Sequence, residues 1–214
     1  MSKISTVIFD MDGVLIDARE WHYIALNKIL ATYGMEINRQ DHLSEFDGLP
    51  TRAKLALLSA RQGLPESSHE VINAMKQEET MRLVEKHCKP MKEHLRVLSA
   101  LKARGYNIAV ASNSIKQSVE SMLTRAEILP FLNTYLSNED VDKSKPDPEI
   151  YFKAMALLNV TPDECVIVED NPHGVAAARA SGAHVLVVKD PTEVTLSNVF
   201  DFIENVSGMH NFIY

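Results

Sequence analysis

The sequence predicts an α/β protein, a doubly wound parallel sheet carrying an inserted α-helical cap domain. Three observations predict it. Four short apolar runs rich in β-branched residues each end in polar chemistry, helical patterns separate them, and one long helical stretch breaks the alternation after the first run. Continuous apolar runs of this length read as strands buried on both faces. Strand and helix repeated along a chain, with right-handed crossovers, build an open parallel sheet.

The first run is Thr6-Val7-Ile8-Phe9, ending at Asp10. A helical block comes next. Trp21, Ile24, Ala25, Ile29 and Tyr33 share one helical face ahead of Gly34, with Asp17 as the N-cap of that helix. Thr51 to Arg61 is an apolar-rich helix stopped by Gly63-Leu64-Pro65, and Val71, Ile72, Met75 and Val84 lie on a long helix opened by Ser67-Ser68. Linkers near Ile16-Asp17 and His87-Cys88-Lys89-Pro90 make residues 17–88 a candidate cap over the sheet's C-terminal edge, and residues 1–16 with 89–214 the core domain.

Alternation then resumes. Leu95, Leu98 and Leu101 precede Gly105, a helix stop. The second strand, Ile108-Ala109-Val110-Ala111, ends at Ser112-Asn113-Ser114, and Val119, Met122 and Leu123 mark the next helix. Ile150, Tyr151, Ala154, Met155 and Leu158 mark another. The third strand, Val166-Ile167-Val168, ends at Glu169-Asp170; Asn171-Pro172 then supplies an N-cap and first turn, with Gly182 closing that helix. Val185 to Val188 is the fourth strand. The tail Ser207–Tyr214, with Phe212, Ile213 and Tyr214, either frays or packs locally.

Lys+Arg is 22 and Asp+Glu is 29 in 214 residues, a net charge of −7. That balance argues against nucleic-acid partners, which require surplus cations facing phosphates. No apolar stretch approaches the ~20 residues needed to span a bilayer, so no membrane partner is expected. The N-terminus lacks a signal-peptide pattern. The two cysteines, Cys88 and Cys165, are far apart and have no metal-ligand spacing, which fits a reducing, cytoplasmic setting. A monomer or small homo-oligomer acting on a small molecule is expected.

Open parallel sheets bind ligands outside the carboxyl ends of their strands. That edge collects Asp10, Asp12, Ser112, Asn113, Glu169 and Asp170. Four carboxylates from two distant segments repel each other unless a cation sits among them, and a hard divalent ion with oxygen ligands, Mg2+ most commonly, answers the need. Ser112 can donate a hydrogen bond to a phosphate oxygen. Lys145, in Lys143-Ser144-Lys145-Pro146-Asp147-Pro148, can supply a point charge, its backbone biased toward an extended form by the following proline.

Asp10-Met11-Asp12-Gly13-Val14-Leu15-Ile16-Asp17 resembles the first motif of the haloacid-dehalogenase-like hydrolase superfamily. Ala111-Ser112-Asn113-Ser114 resembles the second, Lys145-Pro146-Asp147-Pro148 the third and Val168-Glu169-Asp170-Asn171 the fourth, all in order. The core is accordingly expected to be Rossmann-like, and the helical insert is similar to the cap of the β-phosphoglucomutase-like and phosphoglycolate-phosphatase-like branch. The resemblance implies phosphoryl transfer through an aspartyl-phosphate. It assigns Asp10 as nucleophile and Asp12 as the acid that protonates the leaving oxygen and then the base that activates water. It assigns Mg2+ to Asp10, the backbone carbonyl of Asp12, and Asp170, with Glu169 close by. Lys145 and Mg2+ would neutralise the phosphate, and Ser112 with neighbouring backbone N–H groups, Asn113 among them, would hold its oxygens. The family's dehalogenases lack the second aspartate of the first motif, so Asp12 favours phosphate chemistry. In the insert, His22 matches a histidine that takes part in opening and closing the cap around a sugar phosphate in the mutases, Arg52 resembles their arginine for the second, non-transferring phosphate, and Lys76 falls where they carry a cap lysine.

The expected function is therefore a Mg2+-dependent phosphatase of a small phosphorylated metabolite, a sugar phosphate above all. A sugar phosphomutase is the alternative. A receiver-like phospho-acceptor module is a remote third, opposed by the helical insert. Plainer roles stand beside these: Ser112 and Asn113 as caps of the helix near Ile115, Glu169 and Asp170 as acids favouring a helix start, His22 as a packed or surface histidine, and Lys76 as part of a solvated face beside Gln77, Glu78 and Glu79. Met11, Met155 and Cys165 read as core filler.

Overall fold

The structure, a computed structural model, describes residues 3–208. In chain order the main elements begin with β1 (Thr6–Phe9), α1 (Arg19–Leu30), a short α2 (Arg39–Asp41) running into a π turn at His42–Phe46, α3 (Thr51–Gln62) and α4 (His69–His87). They continue with α5 (Lys92–Ala103), β2 (Asn107–Ala111), α6 (Lys116–Arg125), β3 (Thr134–Leu136) and α7 (Glu149–Leu158), and end with β4 (Cys165–Glu169), α8 (Pro172–Ala180), β5 (His184–Val187) and α9 (Leu196–Val206). The chain divides into two compact units. One comprises Met1–Asp17 and Lys89–Tyr214, the other Ala18–Cys88, so the first division falls one residue beyond the one expected from the sequence. The predicted tail at 207–214 lies mostly outside the described residues. No helix among those described is long and apolar enough to cross a membrane.

The larger unit is a five-stranded parallel sheet in the order β3-β2-β1-β4-β5. Strand order leaves β1 toward β2 and β3 on one side and toward β4 and β5 on the other. The switch point, where such sheets open a crevice, lies between β1 and β4. Val7 pairs with both Ile108 and Val166, and Phe9 with both Val110 and Val168, so β1 is central. Its residues Thr6 to Phe9 are wholly buried, as a strand covered on both faces requires. Helices on the sheet complete the core: Ile150, Tyr151, Ala154 and Met155 of α7 and Ala177 and Ala178 of α8 pack against Ile8, Ala109 and Ile167. His94 of α5 is buried, with Nδ1 3.0 Å from Leu15 O and Nε2 2.8 Å from Pro191 O, tying the segment after β1 to the one after β5.

Two strand expectations need correction. β3 escaped the sequence reading because Thr-Tyr-Leu is too short to form an apolar run. The predicted run at Val185–Val188 is an edge strand, His184–Val187, only partly buried, with Val187 exposed. An edge strand has one neighbour and needs less apolar cover.

The helical unit has its own core of Leu26, Ile29, Leu30, Ile37, Phe46, Leu55, Leu58, Leu64 and Ile72. Here the predicted faces shift. In α1 the buried residues are Ala25, Leu26, Ile29 and Leu30, while Ile24 and, in the turn beyond the helix, Tyr33 are exposed. In α4, Val71 and Met75 are exposed, and Lys76, Glu79 and Thr80 are buried beside Ile72 and Val84. These polar groups are buried with partners. Lys28 of α1 donates to Glu79 at 2.7 Å, and Thr80 Oγ1 donates to Lys76 O at 2.9 Å. Asp17 does not cap α1; Ala18 holds the cap position with no side-chain bond. Cys88 and Cys165 are free and buried.

Candidate active site

Asp10 comes directly after the last residue of β1, and its N–H still donates to Val168 O of β4 at 2.9 Å, which anchors it at the switch point. The chain then turns tightly. Gly13 adopts φ 93°, a region that favours glycine, and donates to Ile16 O at 2.7 Å. Met11 O accepts from Leu15 and Ile16. Met11, Val14, Leu15 and Ile16 are buried by this turn, while Asp12 stays partly exposed. Asp12 Oδ2 accepts from Ser114 Oγ at 2.7 Å and from Ser112 Oγ at 3.3 Å, both in the segment after β2.

Lys145 arrives from the segment between β3 and α7. Its backbone is gripped by Asn113, whose Oδ1 accepts from Lys145 N–H at 3.1 Å and whose Nδ2 donates to Lys145 O at 3.3 Å. The Lys145–Pro146 peptide is cis. The ammonium is buried and makes three bonds, to Asp10 Oδ1 at 2.7 Å, Ala111 O at 2.8 Å and Glu169 Oε1 at 2.6 Å. Those three acceptors use all three of its N–H donors.

Glu169 ends β4 and is fully buried. Besides Lys145, its Oε1 accepts from Tyr151 Oη at 2.6 Å, and its Oε2 accepts from Asp170 N–H at 3.1 Å. Asn171 caps α8 by accepting from Gly174 N–H at 3.0 Å, so the helix-start role falls to Asn171. Ligand atoms of Asp10, Glu169 and Asp170 all lie within 4.8 Å of one another. Three carboxylates so close, two of them buried, are an oxygen donor set that could hold a hard divalent metal ion.

The electrostatics agree with a site short of positive charge. Burial pushes the Asp10 carboxyl well above the usual range; Lys145 pulls it down, but Glu169, Asp170 and Asp12 add to the upward push. Burial alone would lower Lys145, yet the Asp10 and Glu169 carboxylates outweigh it and hold the ammonium protonated well beyond the ordinary lysine range.

The structure thus brings together Asp10, Lys145, Glu169 and Asp170, and places Asp12, Ser112 and Asn113 in the same hydrogen-bonded set. In the helical unit, Lys76 Nζ lies 3.0 Å from His22 Nδ1. Lys76 is buried, which overturns its reading as a solvated face. Arg52 is exposed in the first turn of α3. Ser112 and Asn113 do not cap α6; the cap position is Ile115, without a side-chain bond, and Glu139 accepts from Lys116 N–H.

Sequence reasoning passed over Ser114, Tyr151 and Gly174. Tyr151 was legible only as a core position on α7, although a buried tyrosine hydroxyl needs a partner. Gly174 carried no signal, yet a Cβ there would collide with the Glu169 carboxyl.

A family model of haloacid dehalogenase-like hydrolases matches residues 7–188. Hexitol phosphatase B of Escherichia coli (strain K12) is 31% identical over 191 residues, covering 88% of this chain and 85% of that protein. A phosphorylated carbohydrates phosphatase of Thermotoga maritima is 28% identical over 179 residues, 84% of this chain and 82% of that one. Among solved structures, β-phosphoglucomutase from Clostridium difficile superposes with a TM-score of 0.83 at 21% identity, over 94% of this chain and 98% of that one, a likeness of fold. With a matching model over most of its length and a relative above thirty per cent identity, this chain belongs to the haloacid dehalogenase-like hydrolase family.

Proposed function

We propose that this protein is a Mg2+-dependent phosphatase that hydrolyses a small sugar or sugar-alcohol phosphate through an aspartyl-phosphate on Asp10. The observation that carries this reading is the buried Asp10 carboxylate at the sheet's switch point, 2.7 Å from the Lys145 ammonium and within reach of Asp170 and Glu169. The named activities of the Escherichia coli and Thermotoga maritima relatives support a phosphorylated carbohydrate as the substrate class.

Mg2+ held by Asp10, Asp170, Glu169 and the Asp12 carbonyl would offset the negative charge that otherwise keeps a carboxylate from a phosphate dianion. In the first half-reaction a carboxylate oxygen of Asp10 attacks phosphorus in line. The bond from phosphorus to the substrate oxygen breaks, and Asp12 gives that oxygen its proton. In the second, Asp12 takes a proton from water as the water oxygen attacks phosphorus, the bond to Asp10 breaks, and inorganic phosphate leaves. Lys145 holds Asp10 in place and balances charge on the transferring group. Ser112 Oγ reaches Asp12 only at 3.3 Å, a long bond easily exchanged for one to a phosphoryl oxygen. Under the same proposal residues 17–88 act as the cap, and His22, Arg52 and Lys76 recognise the remainder of the substrate.

The test is a panel of phosphorylated metabolites incubated with enzyme and Mg2+, scored for free phosphate and for isomerised sugar phosphate. Stoichiometric phosphate release from a sugar or sugar-alcohol phosphate is expected. Isomerisation without phosphate release would replace hydrolysis with transfer to a sugar hydroxyl, and no turnover on any member would remove the reading.

A further inference from the structure

Resting on that phosphatase reading, we propose that Tyr151 is a positioning residue of the reaction: through Glu169 it holds the Lys145 ammonium against Asp10. Tyr151 lies on α7 and is completely buried, with its hydroxyl 2.6 Å from Glu169 Oε1. The same oxygen accepts from Lys145 at 2.6 Å. Lys145 Nζ also sits 4.9 Å from the centre of the Tyr151 ring. Tyr151 therefore touches the lysine twice, by its ring directly and by its hydroxyl through Glu169.

The geometry makes this more than packing. Carboxylate Oε1 of Glu169 has two lone-pair directions, and Lys145 and Tyr151 take both. Remove the hydroxyl and a fully buried acceptor direction is left unsatisfied, which the carboxylate can relieve only by turning. Turning moves Oε1 away from Lys145, and Lys145 then has two strong acceptors where it had three. The ammonium is left less constrained next to the atom proposed to attack phosphorus. Gly174 belongs to the same arrangement from the other side. The Glu169 carboxyl occupies the space a Cβ at Gly174 would fill, so only glycine at the start of α8 leaves room for it. Gly174 lies in a helix, where alanine is the better helix former, so harm from Gly174→Ala reports the collision and not the backbone.

The experiment compares the full-length wild type with Tyr151→Phe, which keeps the ring and loses only the hydroxyl, and with Gly174→Ala. Two readouts are taken: steady-state kinetics on the best substrate of the panel with saturating Mg2+, and the Lys145 ammonium resonance in 15N-lysine NMR spectra, assigned by its loss in Lys145→Met. The ammonium, buried on three acceptors, is expected to give an exchange-protected signal in the wild type. Tyr151→Phe is expected to lower kcat roughly tenfold with KM within about twofold, as loss of one hydrogen bond felt in the transition state would do, and to broaden or shift the ammonium signal. Gly174→Ala is expected to do the same or more. An unchanged kcat and an unchanged ammonium signal in Tyr151→Phe would overturn the proposal and leave Tyr151 as core packing, whatever Gly174→Ala does. Should the wild type hydrolyse nothing, the phosphatase reading fails by itself, while the ammonium signal still decides whether Tyr151 holds Lys145. Should Tyr151→Phe fail to fold, the same two readouts are taken on Tyr151→Met, which also lacks the hydroxyl, and an unchanged kcat and ammonium signal there overturns the proposal.

Discussion

Substituting Lys145 by methionine keeps a side chain of similar reach and deletes the ammonium that Asp10 and Glu169 share. The side chains of Lys145, Asp10 and Glu169 are 2%, 6% and 0% exposed, so solvent screens the three charges very little. Removing one partner of such a buried set strands the others and destabilises a protein by about 3–5 kcal/mol. In a chain of this size each kcal/mol moves Tm by about 2–4 °C, so Lys145→Met is expected to melt roughly 6–20 °C below the wild type. Calorimetry in metal-free buffer measures it. Adding Glu169→Gln to Lys145→Met removes one stranded charge and is expected to recover part of the Tm but none of the activity. Saturating Mg2+ is expected to recover part of it as well. A Lys145→Met protein melting within about 2 °C of the wild type would refute the reasoning, because only a solvated surface pair is worth so little.

Chelation with EDTA is expected to abolish turnover and Mg2+ to restore it, and isothermal titration of Asp170→Asn is expected to show Mg2+ binding at least tenfold weaker than in the wild type; turnover or Mg2+ affinity indifferent to these changes would remove the metal assignment. The Cys165 thiol, pushed up to about 12 by burial and by the neighbouring Glu164 and Asp163 carboxylates, is expected to be only on the order of one part in 10^4 thiolate at pH 8. It should resist a thiol reagent in the native protein and react in urea; labelling at the rate of a free thiol without denaturant would contradict its burial. Asn171→Ala removes the side-chain cap of α8 and is expected to lower stability by about 1 kcal/mol, read as a Tm loss of roughly 2–4 °C.

The strands and their ends were legible because a strand buried on both faces must be continuously apolar. Thr6–Phe9 and Val166–Val168 could hardly be anything else, and each runs straight into a charged residue, Asp10 after the one and Glu169 after the other. β3 was not legible because an edge strand of three residues, one of them threonine, has no such signature. The buried faces of α1 and α4 were misplaced for another reason. Periodicity counts apolar residues, whereas Lys76, Glu79 and Thr80 are buried while pairing with His22, Lys28 and the Lys76 carbonyl. At the candidate site the sequence could name Asp10 and Asp170 as chemical groups after strand ends and Lys145 as a cation on a proline-bounded loop. It could not show that Glu169 accepts from Lys145 and Tyr151 on one oxygen, since that depends on α7 and β4 meeting in the core. Nor could it show that Gly174 is there for want of space.

Attack on phosphorus by Asp10 is most directly tested by trapping the enzyme during turnover. Acid quench and then borohydride reduction convert an acyl phosphate into an alcohol, so peptide mapping is predicted to find homoserine at position 10, only when substrate is present and never in Asp10→Asn, which should itself be folded and inactive. An unmodified Asp10 peptide alongside continuing phosphate release, or turnover surviving in Asp10→Asn, would contradict the account.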